Sequence, residues 1–388
     1  LPNVDRLLRA LQWRIVIAAR CRHALPDLRK GATCMRHRDF GLIHCDPHRV
    51  TPGVTLFSPL LGKATYIIGP RGDVLHAWTH PLITGTYAYL LENGNLLWSG
   101  RLPEGPQHMG GRGGLIREYD WDGKVLWEHK HVGQHHDLRR LPNGNTIFLG
   151  WEVVPPEIAQ RIPGGLPGTQ HADGCMYGDT IVEVTPDGKT VWEWHACRDM
   201  EVEKYPLFAN QLRDEFAHAN AISPLPNGDI YISFRRLNMI GLIDKQTKTM
   251  KWEHRDDSFG MQHDCEPLPN GNITLFANGV GTPANPFSRA VELDPRTRKV
   301  VWEYRGKPSY TFFSPHISGV QRLATGNTLI CEGQWGRLFE VTPEGEIVWE
   351  YVSPFMGPDR NGDPSNEVFR AYRYAVDSPQ IRNRVRSI

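Results

Sequence analysis

The chain has no apolar run long enough to cross a bilayer. LLRALQWRIVIAAR, at 7–20, places apolar residues at helical spacing, but Arg14 interrupts it and Arg20 ends it. Charge of one sign is also missing: 44 Lys and Arg stand against 43 Asp and Glu, a net +1, which removes the electrostatic argument for a nucleic-acid partner. The seven cysteines, at 21, 34, 45, 175, 197, 265 and 331, show no CxxC spacing, so neither a zinc ribbon nor a disulfide framework is indicated. Reduced thiols fit a cytoplasmic protein, or a periplasmic one if a leader has been removed. No GxSxG elbow, P-loop lysine motif, GxGxxG after a strand or HExxH helix occurs, and no nucleotide cofactor is implied.

Glycine (38) and proline (30) are plentiful, and they punctuate a repeat. A polar segment, a Gly turn and a short apolar strand recur in TYAYLLENGNLLW (86–98), HHDLRRLPNGNTIFL (135–149), HANAISPLPNGDIYIS (218–233), HDCEPLPNGNITLF (263–276) and HISGVQRLATGNTLI (316–330). Each cassette leads to a strand closing on Trp-Glu, at Trp127, Trp192, Trp252, Trp302 and Trp349, and Trp78 fills the same slot ahead of them. Six units with a period of about 40–50 residues, built from short strands and tight turns, predict an all-β, six-bladed β-propeller of four-stranded antiparallel blades. The Asn-Gly pairs mark the turn between first and second strands, and Asp122-Gly123, Asp187-Gly188 and Glu344-Gly345 the hairpin between third and fourth. The tryptophans read as packing between blades.

The predicted organisation is a helical extension over 1–52 that packs on the propeller, the propeller over 53–376, and a tail over 377–388. VFRAYRYAV, at 368–376, is expected to return as the missing strand of the blade begun by GVTLFSP, so that the two ends of the ring share one blade and no edge stays open. The stretch from Gly150 to Asp179 carries too much Pro and Gly for regular structure and reads as a long loop of the kind that serves as a lid. Outer strands of a propeller are compatible with a monomer and with a homodimer.

The first strand of every blade lines the central channel, so alignment on the turn shows which side chains converge. Seven residues before the Asn position stand Thr86, His136, Asn220, His263 and Ser318; nine before it stand Thr84, Gln134, His218, Met261 and His316. The two offsets share a strand face, and His135 falls on the opposite phase. Four histidines from four blades, with Asn220 among them, are costly to enclose without partners and point to anion binding, proton transfer or metal ligation. Arg235 and Arg236 end the second strand of the 218 blade, where a guanidinium could clamp a sulfate, phosphate or carboxylate; Arg337 is a further candidate of that type. Asp137 and Asp264 follow the aligned histidines and point to the other face, where they orient neighbours or cap turns.

FAHANAISPLPNGDIYISFRR (216–236) and GMQHDCEPLPNGNITLFANG (260–279) carry His-x-Asn, Ser-x-Arg and Gln-His in the order that resembles the bacterial arylsulfate sulfotransferases. With HHDLRRLPNGN and the closing-blade GVTLF, the resemblance extends over about 53–376. It implies a six-bladed propeller that moves a sulfuryl group from a phenolic sulfate ester to a phenolic acceptor, with no nucleotide donor and no cofactor. It further implies His263 as nucleophile through a sulfohistidine, His218, Asn220 and Arg235 as groups that bind the anion, and His136 as the remaining active-site histidine. His316, Arg236 and Arg337 are then expected to contact the small aryl substrate. Two other classes stay open on the residues alone. One is a lyase or hydrolase acting on a small acidic or aromatic substrate, with a divalent metal ion held by His136, His218, His263 and His316. The other is a non-catalytic propeller that uses its channel face for binding.

Overall fold

The computed structural model describes residues 39–385, apart from 108, 282–285, 360 and 383. The apolar stretch at 7–20, and the docking helix expected of it, lie outside those residues.

Tight turns cut the described chain into six four-stranded antiparallel blades. Blade 2 consists of Thr84–Leu90, Leu96–Arg101, Gly114–Tyr119 and Val125–Lys130, and blade 3 of Gln134–Arg140, Thr146–Val153, Tyr177–Val184 and Thr190–His195. Blade 4 is Ala219–Pro224, Ile230–Phe234, Met239–Ile243 and Met250–Arg255; blade 5 is His263–Pro267, Ile273–Ala277, Arg289–Asp294 and Lys299–Tyr304. Blade 6 is Gly319–Arg322, Thr328–Glu332, Arg337–Val341 and Ile347–Val352. The turn after each first strand needs a left-handed residue, and Gly94, Gly144, Gly228, Gly271 and Gly326 supply it at φ of +81, +88, +92, +85 and +90°.

Blade 1 is closed as the sequence leads one to expect. Val368–Ala375 pairs with Gly53–Pro59 as the innermost strand, and Ala64–Ile68 and Val74–Thr79 complete the sheet. The expectation of a helical extension over the whole of 1–52 is corrected at its end. Gly41–Cys45 is a strand added outside Ile347–Val352, making blade 6 five-stranded. Leu42 and Ile43 have side chains that suit an edge strand, and the pairing covers the backbone edge of the strand that carries Trp349. The 150–179 stretch is also more regular than its composition suggests: the second strand of blade 3 runs on to Val153, Pro156–Ala159 forms one helical turn, and Gly164–Leu166 pairs in parallel with Leu207–Leu212. In the tail Ile381 is buried against blades 1 and 2, and Arg384 lies over the Trp121 ring.

The six outer tryptophans join the blades in a ring. Each indole N–H donates to a backbone carbonyl in the third-to-fourth-strand turn of the next blade: Trp78 to Asp120, Trp127 to Pro186, Trp192 to Lys245, Trp252 to Pro295, Trp302 to Pro343 and Trp349 back to Pro70, at 2.7–3.1 Å. A bond of this kind contributes about 1 kcal/mol net, and the ring adds the apolar area each indole covers. A second circuit is ionic. Glu118, Glu183, Glu292 and Glu340 each accept from the turn asparagine of their own blade and pair with Arg140, Lys245, Arg322 and Arg373 of the next.

Candidate active site

The channel ends of the first strands are not regular β-structure. His136, Ala217, His218, Met261, Asp264, Ile317 and Ser318 all have positive φ, between +46 and +95°, in sequence where no glycine eases the strain. Non-glycine residues held this way cost about 1–3 kcal/mol each and persist only where surrounding bonds over-determine them. In blade 3 the ladder sets His135 opposite Leu149 and Leu138 opposite Phe148, so His136 and Asp137 are squeezed out of the pairing. In blade 5 His263 faces Phe276, the position on the second strand that corresponds to Leu149. By the ladder alone His135 stands where His263 does, but Asp137 and Asp264 make the same bonds to the next blade and to Arg370, which equates His136 with His263 as the turn alignment does.

His136 reaches the shared site from the bulge. Its ring lies 4.8 Å from that of His218 and 5.9 Å from that of Phe369, and the His263 ring is 6.1 Å from Phe369. Phe369, from the closing strand, is thus common to the surroundings of two of the histidines. Gly111 lies directly on His136: its carbonyl accepts the His136 N–H at 2.8 Å, and a Cβ there would stand 2.2 Å from the ring. His135 turns away, stacked on Trp151 at 4.1 Å between centroids, with its Nδ1 2.8 Å from that of His136 and its Nε2 3.5 Å from the buried Asp179.

Two residues that no motif pointed to orient the other histidines. Glu215 accepts at 2.5 Å from His218 Nδ1, and its other oxygen accepts from the Trp151 indole at 2.8 Å. Asn278 Oδ1 lies 2.8 Å from His263 Nδ1. Gln262, the neighbour of His263 in the Gln-His motif, donates to Ser233 Oγ and to the Phe234 and Met239 carbonyls, which pins the end of the blade 4 strand that delivers Arg235. Asn220 is fully buried; its Nδ2 donates to the Gln262 carbonyl, and its Oδ1 has no protein partner.

Burial pushes His136 and His263 well below the usual imidazole pKa. The neighbouring histidines and the Arg235 guanidinium push in the same direction, while the Asn278 bond partly offsets this at His263. His218 is lowered by burial as well, against the opposing pull of Glu215. All three rings are thereby held toward the neutral form, and the Arg235 charge acts on each of them in that sense. Burial and the adjacent Glu215 hold Asp179 well above the carboxylate range. Burial acts on Glu215 in the same sense, but His218 and Arg236 outweigh it and keep Glu215 ionised.

The remaining candidates divide. His316 is partly exposed, with Nε2 3.4 Å from Glu367. Arg236 is committed to Asp214 at 2.7 Å and to the Leu212 and Glu215 carbonyls, behind the His218–Glu215 pair. Arg337 is held by Glu332 at 3.0 Å and Glu350 at 2.6 Å and lies over the Phe339 ring. No contact brings Arg337 together with the three histidines among the described residues.

Asp137 and Asp264 do more than cap turns. Each accepts a backbone N–H from the next blade, Ile222 and Val320 respectively, both at 3.0 Å. Each also pairs with a different nitrogen of Arg370, at 3.2 and 3.3 Å. One fully buried arginine of the closing strand therefore braces both His-Asp dipeptides from below.

The side chains that a metal would need are partly engaged: His218 Nδ1 with Glu215 and His316 Nε2 with Glu367. Among the described residues no group of three or more His, Cys, Asp or Glu side chains is disposed to hold one.

The fold is shared with a solved structure of low sequence identity. A protein of unknown function from Bacteroides caccae superposes with a TM-score of 0.54 at 14% identity, over 83% of this chain and 99% of that one. A streptogramin B lyase (TM-score 0.44, 11% identity, 86% and 93% covered) and the virginiamycin B lyase of Staphylococcus aureus crystallised with quinupristin (0.40, 13%, 76% and 84%) are more distant. No curated protein sequence matches the chain significantly. The family model described as arylsulfotransferase (ASST) matches residues 114–354, from the third strand of blade 2 through blade 6, and includes every histidine of the site. With that match over more than half of its length, the chain belongs to the arylsulfotransferase (ASST) family.

Proposed function

We propose that the protein transfers a sulfuryl group from an aryl sulfate to a phenol through a sulfohistidine on His263. The observation that carries this reading is the gathering of three neutral imidazoles from three blades under the charge of Arg235. A neutral imidazole is a nucleophile and an imidazolium is not, so burial that keeps His263 unprotonated favours attack on sulfur. Arg235 supplies fixed positive charge for the three sulfuryl oxygens as the S–O ester bond breaks and the N–S bond forms.

The phenolate leaves with the bonding pair. An acceptor phenol then attacks sulfur, the N–S bond breaks, and the phenolic proton passes to His218 Nε2, whose Nδ1–H rests on Glu215. The same proton protonates the leaving phenolate of the next donor, so the two half-reactions balance on one residue. The unpartnered Oδ1 of Asn220 is an acceptor, and it suits the phenolic hydroxyl better than a sulfate oxygen.

The test is intact-protein mass spectrometry after brief exposure to 4-nitrophenyl sulfate, comparing wild type with His263→Ala. The expected result is one added sulfuryl group on the wild type alone, discharged by phenol. Nitrophenol release without an adduct would replace the covalent route by direct transfer or hydrolysis. Absence of both, with biological activity intact in His263→Ala, would favour the binding propeller.

A further inference from the structure

His263 has a protein group against each ring nitrogen, and both groups demand the same proton arrangement. On one side, Asn278 Nδ2 spends its two N–H bonds on the Ser314 carbonyl at 2.8 Å and the Ile317 carbonyl at 3.0 Å. Its amide is thereby oriented, and the oxygen left facing His263 Nδ1 can only accept. Nδ1 must carry the hydrogen. On the other side, the Ile317 backbone N–H lies 3.2 Å from His263 Nε2 and can only donate, so Nε2 must hold the lone pair. A free neutral imidazole prefers the opposite tautomer, with hydrogen on Nε2.

Asn278 is fully buried, and turning its amide over would set Oδ1 against the Ser314 and Ile317 carbonyls, acceptor against acceptor. The segment it grips is strained. Ile317 and Ser318 have φ of +53 and +95°, and a β-branched residue rarely adopts such a conformation. Ser314 Oγ accepts from Ser318 Oγ and from the Gln334 N–H and donates to the His316 carbonyl, and the Ser318 N–H reaches the Phe369 carbonyl, so the strained turn is held from several directions.

We infer that Asn278 is the positioning residue of the nucleophile: its carboxamide oxygen fixes the His263 proton on Nδ1, and its nitrogen holds the 314–318 backbone whose Ile317 N–H covers the Nε2 lone pair until a donor displaces it. The inference rests on the reading of His263 as nucleophile for its catalytic meaning, and on hydrogen-bond geometry alone for the tautomer. An amide does this work differently from a carboxylate. It selects the tautomer without adding a negative charge that would raise the basicity of the ring and invite protonation. The covering N–H lies where sulfur must arrive, so the resting lone pair is shielded from adventitious electrophiles and from water-borne protons.

Two readouts separate the parts. Nitrogen-15 NMR of histidine-labelled protein, with His263→Gln used to assign the ring, should show wild-type His263 protonated on Nδ1 with no substrate present. In Asn278→Ala the ring should move toward the Nε2–H form, and the rate of adduct formation at saturating 4-nitrophenyl sulfate should fall about 10²-fold or more, with little change in KM. Asn278→Asp keeps an acceptor against Nδ1 and should retain the wild-type tautomer, while shifting the acid limb of the rate profile to higher pH. It gives up the Ser314 and Ile317 bonds as the alanine variant does, and should either fold poorly the wild-type nitrogen-15 spectrum still decides the tautomer. A non-transferable aryl sulfonate should shift the wild-type Nε2 resonance as the Ile317 bond is broken; an unchanged resonance with the ligand bound would overturn the covering role. An Nδ1–H ring reacting at the wild-type rate in Asn278→Ala would overturn the assignment to Asn278. A wild type that never forms an adduct would sink the sulfohistidine reading instead, and leave the tautomer to the NMR.

Discussion

His218 and His263 belong to adjacent blades and one site, yet their Nδ1 atoms are matched to opposite kinds of partner. Blade 4 sets His218 against an ionised carboxylate, Glu215; blade 5 sets His263 against a neutral amide, Asn278. A carboxylate partner stabilises imidazolium and so makes a ring that can take up and return a proton. An amide partner orients the ring and leaves it neutral. Two histidines in one enclosure thereby differ through their second contacts rather than their own identity, in the sense that the proposed acid–base and nucleophilic roles require.

Glu215→Gln breaks the contrast most directly. It removes the charge that stabilises protonated His218, and turnover with a poor leaving group should fall about 10²–10⁴-fold. The burst of adduct from 4-nitrophenyl sulfate, which needs little protonation, should persist. Stopped-flow release of nitrophenol checks both, and equal loss of burst and turnover would mean that Glu215 serves the structure as a whole rather than His218.

Arg370→Met tests what the two halves share. With the arginine gone, Asp137 and Asp264 lose a common buried counterion, and removing one partner from a buried pair costs about 3–5 kcal/mol. The expected outcome is a urea midpoint lowered accordingly and loss of activity in both half-reactions. A stable variant with only one half-reaction impaired would show that the blades are braced separately.

Protons distinguish the site from the rest of the fold more gently. Burial lowers His80 and His135 to about 3, and keeps His136 and His263 well below the ordinary value. The unfolded chain takes up these protons near pH 6.5, whereas the folded one resists them. Stability is therefore full above about pH 6.5 and falls as pH drops below it, by about 1.4 kcal/mol per pH unit for each such histidine. Tm should be level from pH 8 to 7 and decline steeply between pH 6.5 and 5. A flat profile across that window would mean that the rings accept protons in the folded state.

Much of the propeller is legible in the chain because its causes are local. The Gly turns set strand ends, the Trp-Glu strands mark each outer edge, and GVTLFSP with VFRAYRYAV has the alternation that closure needs. The cluster of His136, His218 and His263 follows from turn alignment for the same reason. What escapes is whatever depends on a break in that regularity. Left-handed residues at 136, 217, 218, 261, 264, 317 and 318 defeat strand phase at the very positions that matter, so His135 and Asp137 cannot be placed by counting. Glu215 and Asn278 carry no motif for orienting a histidine; their roles exist only where a loop or a second strand meets a neighbouring turn. Arg370 was visible only as one residue of an alternating strand, and its two aspartates lie 233 residues and 106 residues before it in the chain.

The closing strand Val368–Ala375 has a consequence for how the protein comes into being. A ribosome delivers blades 2 to 6, with their histidines, before it delivers Phe369 and Arg370. Until those residues emerge, Asp137 and Asp264 have no shared counterion, the innermost place in blade 1 is empty, and the aromatic neighbour of His136 and His263 is missing. A nascent or truncated chain ending before Val368 would hold the candidate histidines without the Phe369 and Arg370 contacts that join them. The last strand to be made is thus the one on which the contacts of both His-Asp dipeptides depend.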